Sequence, residues 1–518
     1  MAYSDTRARG YGQRRTMNRP CLMNSLDPHK APMKPRPFLA MHHLASILLI
    51  YLCRGIQADP TPSNFMARAG IIDITPTNLP TRLAGSMYPV ETSVIHDPLK
   101  ARLVLLSNAS TRMIVGTLDV CVLPGQAFKP LQKGIAKATG IPPNHINLSA
   151  THTHSAPPLT GLFLNDAETN YLEWMIQTVI DGVIEISHQP EEPVRIGWAR
   201  APIPEHVFNR RWLLKEGARH ENPFGSDGDR VRMNPGYGNP DISQPAGPTD
   251  PILEVIGISR ADGSPLALIG NYSLHYVGGV SGISADYFGA YANWLKQYFQ
   301  REYPEKPFVG LLTNGASGDI NNLNYALPAP PSKKPPYQKI KEVAQSVASK
   351  TAELFEQMSW EPQGILEVQN KTIMCRTRRP NQKRSLEAQR LLEKAREKHP
   401  PQWTRQEIYA RESILLEALD REVPVSLSAI RIGSGCLLTL PTETFSSIGL
   451  ELKKASPFTH TMVVELANGY HGYLPPPEQH RLGGYETWMA RSSYLEINTS
   501  ETITRTLQKL LDRLDYEN

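Results

Sequence analysis

From Phe65 to its last helix the sequence alternates short apolar runs with longer amphipathic ones, and no Ser/Gly-rich linker breaks the pattern. Strand-like runs fall at Ala101–Ser107, Arg112–Leu118, Asn147–Ala150, Ile252–Ser259, Leu266–Tyr272, Phe308–Leu312, Val423–Ile432, Cys436–Leu440 and Thr461–Leu466. Helices are expected over Leu131–Thr139, Glu168–Ser187, Tyr287–Glu302, Gln338–Met358, Ser446–Ala455 and Glu501–Leu514. In the fourth of these, Val343, Val347, Ala352 and Leu354 recur among polar neighbours at helical spacing. Strands interleaved with helices exclude an all-β fold. The expectation is one large mixed-sheet α/β domain.

Two stretches depart from the alternation. Residues 217–250 are rich in Gly, Pro, Asn and Asp and read as a long loop, a kind of segment that is often functional. Residues 380–420 are densely charged and read as a solvated helical excursion around His399-Pro400-Pro401. At 518 residues with 40% hydrophobic and 20% charged side chains, the chain has material for a full core.

The formal charge of +5 belongs to the N-terminus: nine of the 55 Lys and Arg but two of the 50 Asp and Glu lie in residues 1–58. The rest is close to neutral, which gives no electrostatic footprint for nucleic acid. Residues 1–58 read as a leader. Met33-Lys34-Pro35-Arg36 is a basic start, Phe38–Cys53 is mostly apolar, and Gly55-Ile56-Gln57-Ala58 ends in a small residue, as in a secretory signal peptide. The apolar run is shorter than a membrane-spanning helix needs, and a signal anchor is the competing reading. The expected product is an exported chain, periplasmic or secreted, comprising residues 59–518 without a transmembrane helix. Its cysteines, Cys121, Cys375 and Cys436, are too few and too dispersed for a disulfide framework or a Cys-type zinc site. Cys121 and Cys436 read as buried free thiols, and one bridge is left open.

The residues that can do chemistry gather where apolar runs end. Ser149-Ala150-Thr151-His152-Thr153-His154 places two histidines two apart, so on an extended strand both face one side and can share a metal. Two polar residues capping a strand is the bland alternative. His275 ends a second run, where a lone histidine is commonly a hydrogen-bonded core residue. Asn314-Gly315-Ala316-Ser317-Gly318-Asp319-Ile320-Asn321 ends a third in small residues that let a backbone approach a ligand, or simply form a turn. Pro441-Thr442-Glu443 and Asn468-Gly469-Tyr470-His471-Gly472-Tyr473 complete the set. Open α/β folds bind ligands at the carboxyl ends of strands, so five polar strand ends point to one site. Asp119, Asp286 and Asp319 read either as partners that orient metal ligands or as turn and capping residues.

At these residues the sequence resembles the neutral, non-lysosomal ceramidase family, specifically its catalytic domain. The resemblance runs from about Ala67 to the C-terminal helix, and the Thr151–Pro157 segment THTHSAP is its most specific motif. It implies zinc held by His152, His275, Glu443 and Tyr473, with Tyr470 the alternative to Tyr473. It also implies that His154, Arg210 (in Phe208-Asn209-Arg210) and Tyr485 assist catalysis on a small-molecule or lipid-like N-acyl substrate. Asn321 stands where the family has a serine by the zinc, and an asparagine offers an amide to orient water or donate to an oxyanion. The family's C-terminal immunoglobulin-like domain is expected to be absent. Two further readings stand beside the amidase: a zinc hydrolase of a different amide or ester, and a non-catalytic binding protein on the same fold. The leader reading is checked by the intact mass of the exported protein, which should begin at Asp59; an exported chain that still carries its apolar run would overturn it.

Overall fold

The computed structural model describes residues 63–399 and 402–516, all within the unit Pro60–Asn518. The 1–58 leader and its processing site lie outside the described residues. Eight strands form one continuous sheet. In chain order they are β1 (Phe65–Asp73), β2 (Lys100–Ser107), β3 (Arg112–Leu118), β4 (Ile146–Ala150), β5 (Glu192–Pro202), β6 (Ile252–Arg260), β7 (Pro265–Tyr272) and β8 (Val309–Asn314). Across the sheet the order is β8-β7-β6-β5-β1-β2-β3-β4, with Trp360–Glu361 paired beside β5. A second sheet runs β9 (Leu366–Arg376), β10 (Glu422–Ile432), β11 (Gly435–Thr439) and β12 (His460–Val464). Pairing is antiparallel except at β3/β4, β7/β8 and β11/β12, and each of these parallel steps is bridged by a helix, as parallel neighbours require.

The helices are α1 (Gly125–Thr139), α2 (Thr169–Ser187), α3 (Asp286–Gln300), α4 (Gln338–Glu356), α5 (Gln382–Ala395), α6 (Arg405–Glu417), α7 (Ser446–Ala455), α8 (Pro477–Leu482) and α9 (Thr499–Tyr516). No helix among the described residues is long and apolar enough to cross a membrane.

Side chains alternate across each strand, and here both faces are buried. Val104, Leu106, Ile196, Ile256 and Leu311 meet Ile430, Ile432, Leu437 and Met462 of the second sheet. The opposite faces of the same strands meet helices: Leu103, Leu105 and Leu148 pack on α1 and α2, and Val255, Leu268 and Leu312 on α3 and α4. The outer face of the second sheet, with Val425, Leu427 and Leu438, is covered by α7 and α9. The result is four layers, helix on sheet on sheet on helix. Strands buried on both sides read as unbroken apolar runs, which is why the expected strands fall within two residues of those observed.

Strands with a different pattern escaped the sequence reading. In β5 Val194, Ile196 and Trp198 are interleaved with Arg195 and Gly197, and β9 is a half-exposed sheet edge of sequence LEVQNKTIMCR. The 217–250 stretch is partly ordered: Val231–Met233 and Ile242–Pro245 flank Arg211–Leu214 in a small sheet. The charged excursion does form two helices, but it is not simply solvated. Ile408, Tyr409, Glu412 and Leu416 of α6 are buried, below a capping box made by Thr404 and Glu407. Cys121, Cys375 and Cys436 are all buried free thiols.

Trp198 of β5 covers Gly435 of β11 where the two sheets face each other. A Cβ at position 435 would lie 2.3 Å from the indole. Gly435→Ala is therefore expected to destabilise the protein by about 1–3 kcal/mol, read as a lowered Tm; an unchanged Tm would mean that the sheets part freely there.

Candidate functional site

The chemistry-bearing residues follow the carboxyl ends of β4, β7, β8, β11 and β12, where the two sheets are stitched together. Ala150 N–H donates to the Leu466 carbonyl (3.0 Å), Asn468 N–H to the Leu148 carbonyl (2.9 Å) and Glu465 N–H to the Asn314 carbonyl (3.1 Å). Ligand sites at strand ends are the rule for such sheets. Here the second sheet brings Glu443 and Tyr473 to histidines supplied by the first.

His152 has a left-handed backbone (φ 72°), a conformation that costs a non-glycine residue of order 1–3 kcal/mol and is found where surroundings enforce it. Its N–H is held by the Val120 carbonyl (3.0 Å), and its Nδ1 lies 2.7 Å from the Cys121 carbonyl. His275 Nδ1 lies 3.2 Å from the Ser317 carbonyl. A carbonyl only accepts, so both rings donate from Nδ1 and turn Nε2 inward. The two Nε2 atoms are 3.0 Å apart. Glu443 Oε2 lies 3.5 Å from one and 4.0 Å from the other, is buried, and makes no hydrogen bond. Two inward lone pairs and a bare carboxylate oxygen require positive charge between them, either a proton or a metal ion. Burial opposes charge on His152, yet Cys121 and Glu443 lift its pKa well above the ordinary histidine value. Burial and the neighbouring His152 push His275 and His154 well below it. Two imidazoles and a carboxylate within 4.8 Å form a candidate divalent-metal site.

The other expected residues surround this cluster. His154 Nε2 is 3.3 Å from His152 Nε2, and its ring stacks on Tyr276 at 3.6 Å. Gly85 closes over that ring: a Cβ there would sit 2.0 Å from His154 Nδ1. Tyr470 donates to Glu443 Oε1 (2.9 Å), while the Tyr473 hydroxyl accepts from Arg210 Nη2 (3.1 Å) and its residue pairs with Glu443 in a short parallel ladder. Burial holds the Tyr473 phenol well above its usual range, so ionising it demands a strong nearby cation. Arg210 also donates to the Gly318 carbonyl and Glu486 Oε1, both at 2.8 Å. Arg211, wholly buried, takes the other oxygen of Glu486 at 2.6 Å. Tyr485 meets Tyr473 edge-on with ring centroids 5.8 Å apart. A cavity of about 80 Å³ opens onto His152, His154, Glu443, Tyr470, Tyr473 and Tyr485.

Asn321 is placed differently from the rest. Its amide donates to Asn234 (2.7 Å) and its oxygen accepts the Leu323 N–H (2.9 Å), and it is not among the residues that line the cavity. Asp119 pairs with Arg102 (2.7 Å), Asp286 accepts the Val277 and Gly278 N–H groups, and Asp319 binds Asn209 (2.7 Å) and the Ser446 N–H (2.8 Å). Two contributors went unread in the sequence. Tyr276 adjoins His275 and had only that adjacency to mark it. Glu465 sits at the end of an apolar strand, the same position that singled out Glu443. It is fully buried and accepts from Ser317 Oγ (2.6 Å) and the Thr444 N–H (2.7 Å), and burial pushes its carboxyl up to about 8.

Two solved structures share this architecture. A crystal structure of neutral ceramidase from Pseudomonas aeruginosa aligns with a TM-score of 0.63, over 88% of this chain and 75% of that one, at 17% identity. A ceramidase complexed with C2 gives a TM-score of 0.64, over 88% and 76% of the two chains, also at 17% identity. The fold is that of neutral ceramidase. At this identity the likeness speaks for the fold alone. The sequence matches no family model and no curated protein. Within the neutral ceramidase-like fold, Glu465 ties the Ser317 turn that holds His275 to the strand that carries Glu443. Glu465→Ala removes the acceptor shared by the Thr444 and Ser317 N–H groups and the Ser317 hydroxyl, and should weaken divalent-metal binding about 10–100-fold in a chelator competition; an unchanged affinity would separate Glu465 from the cluster.

Proposed function

We propose that this chain is a zinc-dependent hydrolase that cleaves the amide bond of an N-acyl substrate, working outside the cytoplasm once its leader is removed. The observation that carries the reading is the convergence of His152 Nε2, His275 Nε2 and the unpartnered Glu443 Oε2 on one buried point at the floor of a cavity. Donor atoms about 2.0–2.1 Å from a tetrahedral zinc stand about 3.3 Å from one another. The separations of 3.0, 3.5 and 4.0 Å bracket that value. His152, His275 and Glu443 would hold the metal, with Tyr473 as fourth ligand and Tyr470 restraining Glu443. When bound, zinc polarises an acyl carbonyl and lowers the pKa of a water towards about 7.

The chain's own groups do the rest. His154, kept neutral chiefly by burial, would take the proton of an attacking water. Oxygen from that water bonds to the acyl carbon, the C–N bond breaks, and the proton passes to the departing amine. Tyr485 lines the cavity and would donate to the developing oxyanion. Arg210 is one step back, holding Tyr473 and Glu486. Asn321, with its amide engaged by Asn234, leaves water as the nucleophile and is the feature that favours the second reading, a binding protein on the same fold.

The test is turnover of N-acyl amides with and without a zinc chelator, alongside metal content. His152→Ala should lose both metal and turnover. Tyr485→Phe should keep its metal and lose about 10²–10³ in kcat. A metal-loaded protein that releases no acid from any such amide would favour the binding protein.

A further inference from the structure

Besides the histidines, the cavity is lined by the apolar side chains of Met87, Leu162 and Phe163. The enclosed space is about 80 Å³, small beside the roughly 300–1,000 Å³ of sites that take drug-sized ligands. Phe163 is the bulkiest of these three side chains. It adopts a left-handed backbone (φ 55°), a conformation that a bulky side chain takes only when its surroundings impose it. The turn around it is pinned on both sides. Leu162 and Asn165 exchange backbone hydrogen bonds (3.0 and 3.1 Å), Leu164 N–H donates to the Met87 carbonyl (3.0 Å), and the Asn165 amide donates to the Leu83 carbonyl (2.7 Å).

From behind, the α5–α6 hairpin locks the same turn. Arg411 of α6 donates to the Phe163 carbonyl. Glu412, fully buried, grips Arg491 through Nη2 (2.7 Å) and Nε (2.9 Å), and Arg491 Nη2 also reaches the Phe163 carbonyl (3.4 Å). The Phe163 ring packs on Tyr409 of α6 at 5.6 Å, and Tyr409 packs in turn on Trp488 at 5.6 Å. The hairpin whose charge suggested a solvated excursion is thus the buttress of a pocket wall.

We propose that Phe163, braced by α6, is a specificity-determining residue that restricts the site to N-acyl amides with one short alkyl chain and turns away two-chained lipids. This rests on the hydrolase reading above for its chemistry and on the wall alone for its length limit. A wall that fixed can discriminate by methylenes, each of which is worth about tenfold or more in an apolar pocket.

The experiment measures kcat/KM of the zinc-loaded protein on the 4-nitroanilides of acetate, butyrate, hexanoate, octanoate and dodecanoate, together with a long-chain ceramide. The optimum is expected at octanoyl or below, with a fall of about tenfold or more at dodecanoyl and for ceramide. Phe163→Ala and the milder Phe163→Leu should move the optimum to longer chains, and Phe163→Trp to shorter ones; a purely structural role would lower every substrate alike. Preference for ceramide in the unaltered protein, or a length profile that no Phe163 variant moves, would overturn the proposal. If no anilide or ceramide turns over, the hydrolase reading fails by itself. Calorimetric binding of the matching fatty acids then decides the wall. A length limit that moves with Phe163 sustains the inference, and binding without one, or no binding, overturns it.

Discussion

Two imidazole lone pairs and a carboxylate oxygen converge on one buried point beside the cavity, and that crowding is the constraint around which the rest of the molecule is arranged. Left alone, such a cluster is unfavourable: the lone pairs repel, and a buried carboxylate without a partner is costly. It persists because the groups behind it are committed. Carbonyls of Cys121 and Ser317 fix the outer ring nitrogens, and Tyr470 holds the second oxygen of Glu443. Strain in the His152 backbone is borne by the same packing. A site so arranged has only one kind of comfortable occupant, a small positive charge.

Behind the cluster lies a second tier of buried polar contacts, and it explains why so many charges are inside. Glu486 neutralises Arg210 and Arg211 at once, Asp319 fastens Asn209, next to Arg210, to the start of α7, and Glu465 joins the loop below His275 to the strand of Glu443. Each satisfies groups that would otherwise be stranded, and together they tie the strand ends of the two sheets to one another. Truncating one member strands the others, so loss of either partner is worse than replacement of the whole network.

Much of this was legible from residue order. The strands of the sheet interior declared themselves as apolar runs because both their faces are buried, and His152, His154, His275, Glu443 and Tyr473 were readable as polar residues ending such runs. Glu465 occupied a strand end just as plainly, yet nothing in its neighbourhood distinguished a ligand from the residue that braces one. Asn321 illustrates the opposite case. It falls in the right segment, but a pairing of Ile320-Asn321 with Phe208-Asn209 turns its amide towards Asn234. The charge of residues 380–420 suggested solvent, because a buried ion pair such as Glu412–Arg491 looks in sequence like any exposed one.

What the sequence by itself determined is the layering and the inventory: the α/β class, the strand ends, and the histidines and carboxylate available for a metal. Periodicity and residue chemistry are local, and they survive in one dimension. Only the tertiary structure decided which of those groups meet, that two separate sheets share one floor, that Tyr470 donates to Glu443 Oε1, and that a charged hairpin buttresses the pocket through Phe163. Those outcomes depend on contacts between residues hundreds of positions apart, where burial and distance, rather than composition, assign each side chain its role.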